Sequence, residues 1–287
     1  MASLKEVKGR IASVNNTRKI TSAMKMVASA KLHKAQAAIE SMLPYERRLH
    51  HILTDFMSNC TEVTSPFIVK REVKKGGVVV FASNTSLCGG FNANVIRHLV
   101  DLLAEYKPLG LENILVFPVG KKVADAVRKL GFRIEGDFQH MADKPSYQEA
   151  ADLAADLMKR FLHGDVDKVE LLYNHFKSTA SQILTRETYL PIDLNNEKKE
   201  EERTIDYILE PSAEELMQEM LPKVLRMKMF TVLLDSNAAE HAARTMAMQI
   251  ATDNANELLQ ELTVMYNKSR QQSITNELLD IVGGSMA

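Results

Sequence analysis

Glycine and proline are missing from both ends of this chain over lengths that no ordinary domain needs. Neither residue occurs in the 60 positions from Lys223 to Val282 or in the 34 from Arg10 to Leu43. Without helix breakers the longer segment predicts a continuous helix of about 90 Å, whereas helices in globular domains average about three turns. A rod of that length must protrude, pair or reach into another protein. Cysteine is also scarce: Cys60 and Cys88 are too few for a disulfide framework and lack metal-ligand spacing, which predicts reduced structural thiols and no metal site. No apolar run reaches the roughly 18 residues of a membrane span. The start Met1-Ala-Ser-Leu-Lys5 lacks the apolar core of a signal peptide, so an intracellular, soluble chain is expected.

In heptads, the carboxyl-terminal segment puts Met220, Val224, Met227, Thr231, Leu234, Ala238, His241, Thr245, Met248, Thr252, Ala255, Leu259, Leu262 and Tyr266 at the two seam positions. A period of about 3.5 residues is that of a coiled coil. A lone amphipathic helix on a globular core is the plainer reading, but such helices rarely exceed about 25 residues. The partner lies at the amino terminus, where Leu4, Val7, Ile11 and Val14 keep the same period. The pattern then slips at Arg18 and Thr21 and resumes with Ile20, Met24 and Val27, which predicts a stutter. Pro44 and Pro222 are expected at one end of the antiparallel pair, with Pro222 kinking or starting its helix. That register sets Leu4 against Leu262, Val7 against Leu259, Ile11 against Ala255 and Val14 against Thr252, and leaves everything after Tyr266 unpaired. The overhang ends in the apolar Ile274, Leu278, Leu279, Ile281 and Val282, which call for a socket in another protein.

The middle of the chain is different material. Val78–Ala82, Ile114–Pro118 and Val169–Tyr173 are short apolar, β-branched runs, and helical patterns occupy Asn92–Tyr106, Lys121–Leu130 and Tyr147–Leu162. Strand alternating with helix predicts a parallel α/β sheet, Rossmann-like, with a fourth strand near Gln182–Leu190. The charge run Asn195–Arg203 reads as a solvated linker. The expected division is a coiled-coil helix over 1–58, an α/β domain over 74–194, a linker over 195–210 and a second coiled-coil helix over 211–287.

The net charge of −1 conceals an asymmetry: through Arg48, ten basic residues from Lys5 onward face only Glu6, Glu40 and Glu46. A nucleic-acid surface would need stacking aromatics, and no Phe, Tyr or Trp stands between Lys5 and Lys34. An acidic protein partner fits the stripe better. Ser86–Phe91 and Gly120-Lys121-Lys122 both follow strands, as phosphate loops do, but lack the spaced glycines of a dinucleotide site and the lysine of a Walker loop. A tight strand-to-helix turn accounts for each, and the tandem His50-His51 has no ligand neighbours. A nucleotide-binding α/β enzyme dimerised by its terminal helices is the alternative function, and a coiled-coil scaffold a third.

The motifs Ile11–Val27, Ala243–Ala255, Tyr266–Leu278 and Ile281–Gly284, with Leu87-Cys-Gly-Gly90 and Asp206-Tyr207 followed by Glu210-Pro211, resemble the gamma subunits of rotary ATP synthases over essentially the whole chain. The resemblance implies a non-catalytic rotor shaft, without cofactor, that couples ion flow through a membrane ring of c subunits to ATP synthesis on the beta subunits. It implies alpha and beta subunits of the catalytic hexamer and an epsilon subunit as partners, and a peripheral location on the cytoplasmic face of the bacterial inner membrane. By motif, Met24, Lys25 and Arg244 would approach an acidic segment of beta. Arg270, Gln271, Thr275 and Glu277 would bond to beta loops, and Ile274, Leu278, Ile281 and Val282 would enter the hexamer collar. Tyr207 and Glu210 would touch the rotor ring or epsilon. Asn84-Thr85-Ser86 departs from the acidic residue, basic residue and glycine that many members carry there.

Overall fold

The computed structural model describes residues 3–59, 65–192 and 212–285. Cys60, the charged linker and the ring-contact candidates Tyr207 and Glu210 lie outside the described residues. Helices α1 (Leu4–Asn59) and α6 (Ala213–Ser285) bracket a sheet of β1 (Gly76–Phe81), β2 (Ile114–Val119), β3 (Arg133–Ile134), β4 (Lys168–Ser178) and β5 (Ser181–Leu190). Between the strands lie α2 (Phe91–Tyr106), α3 (Lys121–Leu130), α4 (Gln139–Asp143) and α5 (Tyr147–His163).

The strand order is β3-β2-β1-β4-β5. β1 and β2 are buried along their whole length, the pattern of parallel strands covered on both faces. Two features go beyond the sequence reading. The short β3 adds a parallel edge, and β5 runs antiparallel to β4 because Thr179-Ala180 allows only a hairpin return. Pro118 is tolerated in β2 because β3 reaches only to Val116, so the missing N–H costs no ladder bond.

One face of the sheet packs Val78, Val80 and Val116 against α2 and α3. The other packs Phe81, Phe117 and Leu171 against α5 and against the stretch of α6 from Met217 to Leu234. The rod helix is therefore also a layer of the domain. Its 73 residues correspond to about 110 Å. Both prolines lie inside helices: Pro44 in α1 and Pro222 in α6, which begins at Ala213 rather than at the proline.

Candidate functional site: the paired rod, its neck and its tip

The two long helices pair antiparallel, but one full heptad away from the register derived from the prolines. Thr252 meets Thr21, with 2.8 Å between their hydroxyls, instead of Val14. Arg18 Nη1 donates to Asn256 Oδ1 at 3.3 Å, and Leu32 and Ala35 pack on Ala238 and Ala242. The prolines misled because each helix runs through its own.

The stutter is absent as well. Arg18, Thr21, Ala28, Leu32 and Ala35 hold the original seam, while Ile20 and Val27 are 60% and 59% exposed. The polar residues at the slip sit inside because they bond across the pair, a device that fixes register. Val7, Ala255 and Leu262 are buried, and Leu4, Ile11, Val14, Thr252 and Leu259 half-buried. Half-burial of α6 continues at Tyr266, Ser269 and Ser273, so the overhang begins after Ser273, not after Tyr266. Beyond it Ile274, Leu278, Leu279, Ile281 and Val282 are between 48% and 68% exposed. Arg270, Gln271 and Glu277 are exposed, and Thr275 donates its hydroxyl to Gln271 O at 2.9 Å. Met24 and Lys25 lie half-buried on the flank of α1.

The neck is where α6 passes between α1 and the carboxyl edge of the sheet. Every residue from Ser236 to Arg244 is buried. Arg244 does not stand on the open flank: its guanidinium bonds to Ser86 O and pairs with Glu240 at 2.6 Å. Burial pushes the Glu240 carboxyl up, against the opposing pull of Arg244. His241 is held neutral, its pKa lowered to about 4 by burial and by Lys31 and Arg244, and its Nδ1 has no hydrogen-bond partner. Asn237 donates to Ala142 O at 2.9 Å, and Asp235 accepts from Phe176 N at 2.8 Å and meets His175 Nδ1 at 2.6 Å. Phe176, on the part of the β4–β5 hairpin that outruns β1, wedges between the rod and Cys88 with Phe91.

This packing occupies the crevice at the carboxyl ends of the strands, where open α/β sheets bind ligands. The cavity left between Phe81, Val119 and Asn237 is about 10 Å³, room for at most one water. The two loops read as turns are bound to each other. Asn84 Oδ1 accepts from Lys121 N at 2.8 Å, Asn84 Nδ2 donates to Gln139 O at 2.8 Å, and Ser83 O accepts from Lys122 N at 3.1 Å. Gly120, at φ +112°, is required because a Cβ there would lie 2.1 Å from Ala82 O. Asn84 thus staples three segments together, a role its sequence context did not suggest. Among the described residues no His, Cys, Asp or Glu group could hold a metal, and no helix is long and apolar enough to cross a membrane.

A family model described as ATP synthase matches residues 3–287. Over 289 residues the chain is 81% identical to a Phocaeicola vulgatus protein named ATP synthase gamma chain, with 100% of both sequences covered. The chain belongs to the ATP synthase gamma-chain family. A family member from Christiangramia forsetii is 43% identical over 289 residues, covering 100% of this chain and 99% of that protein. Among solved structures, a chain of the Euglena gracilis mitochondrial ATP synthase, described as OSCP/F1/c-ring, superposes with TM-score 0.67 at 21% identity, covering 99% of this chain and 93% of that one. A chain of the Tetrahymena thermophila mitochondrial ATP synthase central stalk and c-ring gives 0.58 at 22% identity, covering 81% and 99%. Both likenesses carry the family's fold: two long helices around a mostly parallel sheet.

Proposed function

We propose that this chain is the central rotating shaft of an ATP synthase, coupling ion flow through a ring of c subunits to ATP synthesis on the beta subunits of an alpha–beta hexamer. The observation that carries the reading is the rod itself: full-length membership of the family, joined to the exposed apolar side chains of Ile274, Leu278, Leu279 and Ile281 towards the end of α6. Large exposed apolar surfaces mark interaction sites. The tip residues Ile274, Leu278, Ile281 and Val282 enter the collar of the hexamer, with Arg270, Gln271, Thr275 and Glu277 bonding to beta just below. Met24 and Lys25 face an acidic segment of beta from the basic flank of α1, while Arg244 acts from within the neck. The domain, with Tyr207 and Glu210, meets epsilon and the ring, and the assembly is peripheral on the cytoplasmic face of the bacterial inner membrane.

The chain does no chemistry of its own. It biases the beta subunits because their conformations contact an asymmetric shaft with different energies, the one way a partner shifts an equilibrium. Affinity purification from membranes tests the reading. Recovery of alpha, beta, epsilon and c subunits in one ATP-hydrolysing complex is expected. A chain recovered without them, which binds ATP by itself below micromolar concentration, is instead the nucleotide-binding enzyme.

A further inference from the structure

The neck joins the rod to the domain by contacts of two different kinds. Towards α1, α6 presents Ala238 and Ala242 to Leu32 and Ala35, a smooth apolar surface. Apolar contact is non-directional, so such a surface resists separation but not sliding. Towards the domain, Asp235, Asn237 and Arg244 reach three segments distant in sequence: the end of β4 at Phe176, α4 at Ala142, and the loop after β1 at Ser86. Hydrogen bonds weaken steeply with distance and angle. Successive helix residues are about 100° apart, so turning α6 by a fraction of one residue breaks all three bonds together. Ala142 O would then be left unpaired in a buried setting, where breakage carries the full desolvation penalty, and Phe176 N and Ser86 O would lose their partners in part-buried ones.

We propose that Asp235, Asn237 and Arg244 form a torque key that locks α6 rotationally to the α/β domain, so that α6 bears the load of rotation and α1 serves as a strut. The proposal rests on the shaft reading. Glu240 orients the guanidinium of Arg244, and the β4–β5 hairpin is the lever against which Asp235 pushes. These are positioning residues: they touch no nucleotide and act through the rigidity of the shaft.

The test is rotation of the assembled hexamer with this chain, recorded through a probe on the α/β domain, both with negligible drag and against a large viscous load. Asn237→Leu keeps the size of the side chain and removes its bond, and Asp235→Ala removes the bond to Phe176 N together with the contact to His175 Nδ1. Both variants should rotate at the wild-type rate without load. Under load, slips should rise about fivefold for each bond removed, the fold-change of one net hydrogen bond. Leu32→Ala on the smooth side should weaken the fold without changing load dependence. In the double variant Ala142→Cys/Asn237→Cys, oxidation to a disulfide should restore load bearing that the reduced form lacks. Wild-type load dependence in Asn237→Leu and Asp235→Ala overturns the key. Equal loss at every load also overturns it, since that marks a merely structural role. Failure of the unmodified chain to rotate in any hexamer would refute the shaft reading instead.

Discussion

Within the single helix α6, the stretch from Ser236 to Arg244 and the stretch from Ile274 to Val282 invert the usual placement of side chains. The first contains Asn237, Glu240, His241 and Arg244, all buried, and the second contains Ile274, Leu278, Leu279 and Ile281, all exposed. Neither stretch is a defect. In the neck the surroundings are this chain's own helix and domain, so small residues allow close approach and polar ones fix position. At the tip the apolar side chains are exposed, and in the proposed shaft their surroundings belong to another protein. A helix reads as polar-inside or apolar-outside only until its partner is named.

Removing charge should separate the two stretches most. Arg244→Met strands a buried Glu240, and breaking such a pair costs about 3 kcal/mol. Glu277→Gln, within the exposed tip, should change stability by less than about 0.5 kcal/mol. Urea unfolding of the two purified variants measures both, and equal effects would abolish the distinction between neck and tip.

Acid should find the neck next. His241 has its pKa lowered to about 4 among Lys31, Arg244 and Asp143, against roughly 6.5 when unfolded. Because the folded value is depressed, the stability it contributes is present above pH ~6.5 and is lost as pH falls towards 4, up to about 3 kcal/mol. His241→Gln should remove that part of the acid sensitivity, seen as a smaller difference in stability between pH 7 and pH 4.5. An unchanged difference would mean that His241 charges freely in place.

A smaller effect on stability, but a sharp one on geometry, is expected from cysteine pairs in a Cys60→Ser/Cys88→Ser background. Thr21→Cys/Thr252→Cys should oxidise to an intramolecular disulfide, which requires Cα separations below about 7 Å. Val7→Cys/Leu259→Cys, one heptad out of register, should stay reduced. The opposite outcome would restore the proline-based register and lengthen the overhang.

The sequence made the rod and the sheet legible because both rest on periodicity. Gly- and Pro-free heptads and buried β-branched runs survive any detail of packing, which is why α3 (Lys121–Leu130) has the bounds expected of it. Register was not legible, because it depends on which side chains bond across the pair. Arg18 and Thr21 looked like interruptions, yet they are the residues that meet Asn256 and Thr252. Arg244 could be recognised by its motif, but not its burial, since nothing local tells that Ser86 O will lie beside it. Asn84 shows the same limit: its two amide bonds go to segments 37 and 55 residues away.

The central claim, that the tip of α6 is built for a cavity in another protein, is tested most directly by a photo-crosslinking amino acid at Leu278 in the intact membrane complex. A second probe at the buried Ala239 serves as the internal reference. Irradiation should join Leu278 to alpha or beta subunits and Ala239 only to this chain. A Leu278 probe that labels only its own chain, or only lipid, while alpha and beta are present in the same preparation, would contradict the account.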